Sequence, residues 1–447
     1  MKVTHQGGRG KIRLAFPFHT HCVTRHWSGM ANHLHRTIRI LVTIVVLATA
    51  VFLACNRTIF VMEFIFPMFT MTLASMLIVH FSVRPIKEDV LFVVCLTLLH
   101  AVVAYQFFSL PYNSLHWPAF AGFSSFWVLC FRTIWAKKSE QKLLAFATVS
   151  ALLLLTVEWG ATIVLKWDET LHPKTLDLLL YSFDGSLGTQ FSFLMGRAFL
   201  KWRLFGDVSV KFYEALPIAL TLICARHIAA RSAKALSAVA ALILTGPIGV
   251  AFYNLFPALG PRHIAQLEFP FHILTHTQIL NLALVDISAP GPRNAIPSLH
   301  MAWVLLVWWY SRGLAPWTRA VAFLFLVFTA AATLGTGEHY FVDLVVAFPF
   351  AVFIESLCCF DLPLLKRQRT IALSWGLGAT LAWLALLRFD SAIFWFSPVV
   401  PWTLVVGTIL VSWICERELR SSSSSSEVPE RASVSAAKEG LLPSFKF

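Results

Sequence analysis

Two short stretches of the sequence place polar, titratable side chains at the beginning of apolar segments. The first, GPRNAIPSLHMAW, contains Ser298 and His300. The second, GTGEHYFVDLVV, contains His339 and Asp343, which are four residues apart and would therefore share one face of a helix. Ionisable side chains are costly inside a membrane and commonly mark a functional site there. The two stretches therefore predict one site that is built from two separate helices.

The spacing of His339 and Asp343 suits nucleophilic catalysis. A carboxylate one helical turn away can accept a hydrogen bond from one imidazole nitrogen, which fixes the tautomer and leaves the other nitrogen free to attack. His300 could then donate a proton to a leaving oxygen, or remove one from an entering group. We therefore predict that His339, His300 and Asp343 form the catalytic set.

Three further residues could hold a phosphate at the same site. Arg262 in FPALGPRH and Arg293 in GPRNAIPSLH carry guanidinium groups, whose forked geometry matches phosphate oxygens. Ser298 offers a hydroxyl at the start of a predicted helix, where anions are favoured. The predicted phosphate-binding residues are therefore Ser298, Arg293 and Arg262. The chemistry is complete without a cofactor, and we expect no metal site.

The composition is that of a polytopic membrane protein. Of the 447 residues, 57% are hydrophobic and only 13% are charged, which is more apolar than a soluble domain requires. A spanning helix needs roughly 20 mainly apolar residues, so the sequence predicts an all-α membrane protein of about twelve transmembrane helices. The predicted spans lie near 38–55, 59–81, 90–109, 118–135, 143–165, 208–226, 235–256, 297–311, 317–335, 339–358, 371–388 and 396–415.

The formal net charge of +13 indicates basic cytoplasmic loops rather than nucleic-acid binding. When the N-terminus is placed in the cytoplasm, Arg and Lys residues collect in the loops on that side, as the positive-inside rule requires. Both termini are then cytoplasmic, and His300 and His339 lie at the extracytoplasmic ends of their helices. The segment 171–203 departs from the rule because it carries basic residues on the outer side. We expect it to be amphipathic and to lie on the outer surface.

These spans divide the chain into five parts. They are a basic cytoplasmic segment at 1–37, an N-terminal transmembrane bundle at 38–165, a catalytic core at 166–360, C-terminal transmembrane helices at 361–415 and a cytoplasmic tail at 416–447. The tail is polar and contains SSSSSS, so we expect it to be disordered. The sequence assigns no chemistry to the N-terminal bundle of about five helices.

The strings around the predicted site resemble a known family. PSLH followed by HYFVD is similar to the type-2 phosphatidic acid phosphatase superfamily, whose usual pattern is KxxxxxxRP, PSGH and SRxxxxxHxxxD. Here Leu299 replaces the usual glycine, Thr333 stands where an arginine is usual, and no clear KxxxxxxRP occurs. With FPALGPR, RNAIPSLH and GEHYFVD, these departures resemble the aureobasidin-resistance, inositol phosphorylceramide synthase-like branch. The resemblance covers residues 175–360 and implies a six-helix phosphatidic acid phosphatase-like core.

The resemblance also implies a role for each matched residue. His339 would attack phosphorus and form a phosphohistidine, Asp343 would orient it, and His300 would protonate the leaving group and then activate water or an alcohol. The substrate would be a membrane phospholipid or lipid phosphate, with a polyol or a lipid alcohol as the acceptor. The string LLLYSFDGSLG resembles bacterial members of the branch and so implies a bacterial cell membrane.

Three functions remain open at this point. The first is a lipid phosphotransferase, and the second is a lipid phosphate phosphatase, in which water is the acceptor. Both use the same residues and differ only in what reacts with the phosphohistidine. The third is a non-catalytic transporter or scaffold, which many membrane spans would suit. Against it, a nucleophile with an orienting carboxylate and an acid has no obvious role in transport.

Overall fold

The computed structural model describes residues 67–271, 273 and 291–439, and these residues form helices and no β-strand. The all-α prediction is confirmed for this part of the chain. The first predicted span, 38–55, lies outside the described residues. The basic segment 1–37 lies outside them as well.

The first described helices form a group of their own. They are α1 (Pro67–Ser82), α2 (Lys87–Val102, continued by the π-helical turn Val103–Phe107), α3 (His116–Trp135) and α4 (Lys138–Leu171). Helix α3 packs on both α1 and α2, around a small core that includes Leu73, Phe120 and Phe123. Most of α2 is apolar and exposed, as contact with lipid requires.

The remaining helices build the part of the chain that carries the predicted site. In chain order they are α5 (Asp177–Ser186), α6 (Phe191–Lys201), α7 (Arg203–Glu214), α8 (Leu216–Ala229), α9 (Ala235–Leu255), α10 (Pro261–Ala265), α11 (Leu299–Tyr310), α12 (Pro316–Gly335), α13 (Phe341–Leu357), α14 (Arg367–Phe389) and α15 (Val399–Glu439). This part joins the first group where α8 packs on α1 and α9 packs on α4.

Helix α13 lies at the centre of this second part. It packs against α5, α9, α11, α14 and α15. Its sequence is apolar on every side, which suits a helix that has neighbours all round, and Val342, Val346 and Phe350 are fully buried. Because α13 begins two residues after His339, its N-terminal end fixes the position of that histidine.

Fewer spans can be assigned among the described residues than the sequence predicts for the whole chain. Among the described residues, six helices are long and apolar enough to cross a membrane, and a seventh results if α7 and α8, which meet at 50°, form one bent span. Helices α1 and α11 are apolar but shorter. The prediction of twelve spans is not confirmed. Helix α11 is short because it begins only after Ser298, where the polar site interrupts the apolar run.

Helix α5 differs from the expectation that residues 171–203 lie on a surface. Leu180, Tyr181 and Phe183 on this helix are at most 2% exposed. The helix packs beneath the N-terminal end of α13 and against α14. Its polar residues therefore face the interior of the protein, where they bind backbone groups of other segments.

Helix α15 continues past Cys415, where the sequence places the end of the last span. Glu416, one residue later, is fully buried and forms an ion pair with Arg312, at 2.9 Å between Nη1 and Oε2. Arg420 contacts both Glu416 and Glu355, and its Nη2 lies 2.7 Å from Glu355 Oε1. These ion pairs join the start of the predicted tail to the ends of α11 and α13 that lie away from His339.

Helix α4 is much longer than a membrane is thick. Its 34 residues rise about 1.5 Å each, which gives a length of about 51 Å, against about 30 Å for the hydrocarbon core. At its C-terminal end the Oε1 atom of Glu169 accepts a hydrogen bond from the N–H of Gly291 at 3.3 Å. Helix α4 thus extends from the N-terminal group to the loop that leads into Ser298.

Candidate active site

His339 lies in the turn between α12 and α13, and its Nδ1 atom is 2.8 Å from the carbonyl oxygen of Ala295. A carbonyl oxygen only accepts hydrogen bonds, so Nδ1 carries the hydrogen and Nε2 carries the lone pair. The side chain is 2% exposed. The structure therefore holds His339 in the tautomer that a nucleophilic Nε2 requires.

Asp343 lies one turn into α13 and has two contacts at the site. Its Oδ2 atom accepts a hydrogen bond from the N–H of Tyr340 at 2.7 Å, which caps the first turn of α13. The same oxygen is 3.4 Å from His339 Nδ1. The carbonyl of Ala295 is thus closer to Nδ1 than the carboxylate that the sequence points to. A main-chain acceptor has no side-chain signature, so sequence reasoning missed it.

Ser298 joins the first predicted stretch to this histidine. Its N–H donates to the carbonyl of Asp343 at 3.1 Å, and its side chain caps the start of α11 by accepting from Met301. Its Oγ atom lies 3.3 Å from His339 Nε2, and the residue is fully buried. The structure therefore brings Ser298, His339 and Asp343 together, although they come from separate segments.

His300 occupies the first turn of α11, close to His339. The centre of its ring is 6.3 Å from that of His339. Its Nδ1 atom is 3.2 Å from the hydroxyl of Tyr213, a residue that sequence reasoning did not select. Its Nε2 atom is buried and has no hydrogen-bond partner among the residues that the structure describes. This nitrogen is therefore available to a ligand.

Arg262 lies at the mouth of the site, bound to the turn that carries His339. Its Nη1 atom is 2.7 Å from Glu338 Oε1, and the side chain is 50% exposed. Burial raises the pKa of Glu338, but the hydrogen bond from His263 and the charge of Arg262 outweigh it, so that the net pKa lies below the ordinary value. Arg262 is thus held beside His339 by a charged partner on the neighbouring residue.

Arg293 is placed differently from Arg262. It is 3% exposed, its Nε donates to the carbonyl of His172 at 3.0 Å, and its Nη1 donates to the carbonyl of Gly291 at 2.6 Å. Two donors of its fork are therefore used to hold the loop before Ser298. Thr333, which stands where the resemblance leads us to expect an arginine, supplies no cation either, since its hydroxyl donates to Ala330 at 2.8 Å.

Two glycines allow the Arg262 loop to pack directly against the His339 turn. Gly260 has φ +122°, and a Cβ atom there would lie 2.3 Å from the carbonyl oxygen of Glu338. Gly337 has φ +73°, and its Cβ would lie 2.8 Å from that of Arg262. Both positions therefore exclude larger residues. The strings FPALGPR and GEHYFVD, which sequence analysis considers separately, form one surface.

Two buried aspartates on α5 anchor these loops, and sequence reasoning gave them no role. Asp177 accepts hydrogen bonds from the N–H groups of Leu259 and Gly260, at 3.0 and 2.8 Å. Asp184 accepts from the N–H of Phe341, at the start of α13, at 2.8 Å. Both lie in or next to the string LLLYSFDGSLG, which was the available signal. Among the described residues no group of three or more His, Cys, Asp or Glu could hold a metal ion.

Comparison with known protein families finds a match in the part of the chain that carries the site. Residues 178–357 match the family model of the PAP2 superfamily. The matched segment contains His339, His300, Asp343 and Ser298. This segment is therefore similar to the PAP2 superfamily, and the long apolar helices among the described residues indicate a membrane protein. Searches of curated proteins and of solved structures returned no significant match.

The two arginines should respond differently to replacement by lysine. We expect Arg262→Lys to weaken inhibition by vanadate about tenfold, because Lys lacks the forked geometry that matches phosphate oxygens. Its melting temperature should stay close to that of the wild type. Arg293→Lys should instead lower the melting temperature, since Arg293 reaches the carbonyls of His172 and Gly291 from two different nitrogens and Lys has only one.

Vanadate inhibition and thermal unfolding in detergent would be measured for both variants. Arg319→Lys is the matched control, because Arg319 is exposed on α12, at the end away from His339. Unchanged vanadate inhibition in Arg262→Lys would remove this residue from the phosphate site.

Proposed function

We propose that the protein is a membrane-bound lipid phosphotransferase that works through a phosphohistidine on His339. The observation that carries this proposal is the fixed tautomer of His339. Its Nδ1 donates to the Ala295 carbonyl at 2.8 Å, so its Nε2, which lies 3.3 Å from Ser298 Oγ, carries the lone pair. The match of residues 178–357 to the PAP2 superfamily supports the same class of reaction.

The reaction proceeds in two steps. In the first, Nε2 of His339 attacks phosphorus, an N–P bond forms and the bond from phosphorus to the leaving oxygen breaks. His300, protonated on Nε2, gives that proton to the leaving oxygen. In the second step, neutral His300 takes the proton of an acceptor hydroxyl, whose oxygen attacks phosphorus and breaks the N–P bond. His339 is then restored, and Asp343 stabilises the positive charge that its ring carries while phosphorylated.

The phosphate oxygens have three sources of stabilisation in this proposal. The Ser298 hydroxyl lies 3.3 Å from the attacking nitrogen, so it can donate to an oxygen of the phosphate. The N-terminal end of the twelve-residue helix α11 contributes a favourable dipole. Arg262 can exchange its partner Glu338 for the substrate, since its side chain is half exposed. We assign Arg293 to positioning the loop, because its donors are engaged with carbonyl groups.

An alcohol is the acceptor that we favour over water. The support is the resemblance of FPALGPR, RNAIPSLH and GEHYFVD to the inositol phosphorylceramide synthase-like branch, in which a phosphoryl headgroup passes between alcohols. Two of these strings lie against each other, since a Cβ atom on Gly260 would come within 2.3 Å of the Glu338 carbonyl oxygen. The substrates that follow are a phospholipid donor and a lipid alcohol acceptor, with a simple phosphatase as the alternative.

The reaction would occur on the extracytoplasmic side. The positive-inside rule, applied to the basic loops of the sequence, supports a position of the ends of α11 and α13 that carry the site away from the cytoplasm. A transporter or scaffold, the remaining alternative, gives no reason for a buried histidine with a fixed tautomer and a second histidine 6.3 Å away.

Loss of the nucleophile should abolish the reaction. We expect His339→Ala to lower turnover by about a thousandfold or more and to leave no phosphoenzyme. His300→Ala should slow an alkyl lipid phosphate by about a hundredfold but spare a nitrophenyl ester, which needs less protonation. Asp343→Asn should be intermediate, because it keeps the nucleophile and loses its charge stabilisation.

Steady-state rates and alkaline trapping of labelled phosphoenzyme would measure these effects. His227→Ala is the matched control, since His227 is also buried but binds the carbonyl of Tyr310, at the far end of α11. Near-normal turnover in His339→Ala would refute the phosphohistidine mechanism and favour the transporter or scaffold.

The choice between alcohol and water should appear in the products. Purified protein in vesicles would receive phosphatidylinositol with a labelled headgroup, or labelled phosphatidic acid, with increasing amounts of ceramide or another lipid alcohol. For a transferase, labelled lipid product rises while water-soluble label falls, because both come from one intermediate. Release of soluble label that is independent of every added alcohol would identify a phosphatase instead.

The proposed sidedness predicts which cysteines react from outside. Leu267 is 99% exposed beside α10, near the site, and Leu365 is 90% exposed beyond the opposite end of α13. In a background without the eight native cysteines, Leu267→Cys should react with an impermeant maleimide on intact cells. Leu365→Cys should react only after permeabilisation. The reverse pattern would place the site on the cytoplasmic side.

A further inference from the structure

Tyr213 forms the closest packed contact of His300. The centres of the two rings are 4.1 Å apart, their planes differ by 23°, and the Tyr213 hydroxyl is 3.2 Å from His300 Nδ1. Trp303 meets the imidazole edge-on at 5.9 Å. The imidazole is thus covered on one face and contacted at one nitrogen, which restricts its rotation.

The sequence around Tyr213 explains why this side chain reaches the site. Pro217 lies in the first turn of α8, and its ring would clash with the carbonyl of the residue four positions earlier, which is Tyr213. The proline therefore favours a break or kink at this point, and α7 and α8 meet at 50°. Tyr213 occupies the last turn of α7, next to the bend. Phe212, its neighbour, instead packs against Phe328 on α12.

The contact at Nδ1 decides which nitrogen of His300 can transfer a proton. Nδ1 faces the Tyr213 hydroxyl, whereas Nε2 is buried and without a hydrogen-bond partner among the described residues. If Nδ1 donates to the hydroxyl oxygen, Nε2 is left to gain and lose the catalytic proton. The arrangement parallels His339, whose Nδ1 donates to the carbonyl of Ala295. Each histidine is then anchored through Nδ1 and active through Nε2.

We propose that Tyr213 is a positioning residue for His300, holding the Nδ1–H tautomer so that Nε2 acts as the acid and then the base. This inference rests on the proposed function for its catalytic meaning. In the first step the imidazolium loses its Nε2 proton to the leaving oxygen and keeps the Nδ1–H directed at Tyr213. In the second step Nε2 recovers a proton from the acceptor hydroxyl. The tyrosine itself neither gains nor loses a proton.

Replacement of Tyr213 by phenylalanine removes the hydroxyl and keeps the stacked ring. We expect Tyr213→Phe to lower kcat for an alkyl lipid phosphate about tenfold, to change a nitrophenyl ester by less than about twofold, and to leave KM unchanged. In a His300→Ala background the same substitution should have no further effect, because its only target is absent. The matched control is Tyr310→Phe, which removes another buried hydroxyl, at the opposite end of α11.

The tautomer of His300 can be measured without any enzymatic turnover. Nitrogen NMR of protein labelled at histidine, with the His300 resonances identified by their loss in His300→Gln, should show neutral His300 protonated on Nδ1. In Tyr213→Phe the population should move toward the Nε2–H form, which free imidazole side chains favour. This measurement stands even if no lipid phosphate proves to be a substrate, so failure of the proposed function and failure of the positioning role are distinguishable.

Two results would overturn the positioning role. One is a wild-type His300 that is protonated on Nε2 in the neutral form, with Tyr213→Phe giving the same spectrum. The other is a Tyr213→Phe variant that slows both substrates equally and adds its effect to that of His300→Ala, since that is the behaviour of a residue that only stabilises the fold.

Discussion

Backbone N–H groups at the ends of apolar helices need hydrogen-bond acceptors where water is scarce. In the loops of the site, two carboxylates are these acceptors. Asp177 binds the N–H groups of Leu259 and Gly260, and Asp184 binds that of Phe341. The two aspartates are seven residues apart on α5, which is two helical turns, so they share one face. One short buried helix therefore sets the positions of both the Arg262 loop and the His339 turn.

The proposed nucleophile, His339, is oriented by a group that cannot titrate. A carboxylate that accepts a hydrogen bond from an imidazole can be protonated, and the hydrogen bond then weakens. The carbonyl of Ala295 accepts from His339 Nδ1 at 2.8 Å and keeps this ability at any pH. Asp343, at 3.4 Å from the same nitrogen, is left to cap α13 and to balance charge. Orientation and charge balance are thus divided between a main-chain and a side-chain group.

The sequence predicted those parts of the site that depend on side-chain type and local spacing. The four-residue interval between His339 and Asp343 and the capping position of Ser298 follow from helical geometry, and the structure places these three residues together. The contacts of Tyr213 and Ala295 were not predictable in this way, because one depends on a bend and the other on a main-chain oxygen. The prediction of twelve spans is not confirmed, and one reason among the described residues is that hydropathy does not register where α11 is interrupted or where α7 and α8 bend.

Residues that support the site also lie before the first residue of the family match. The match begins at residue 178, but the carbonyl of His172 binds Arg293 and the carboxylate of Glu169 binds the N–H of Gly291. Both belong to the end of the long helix α4. A fragment cut at the matched boundary would keep every catalytic side chain and lose two supports of the loop that presents Ser298. The C-terminal end of α4 is therefore part of the scaffold that positions this loop.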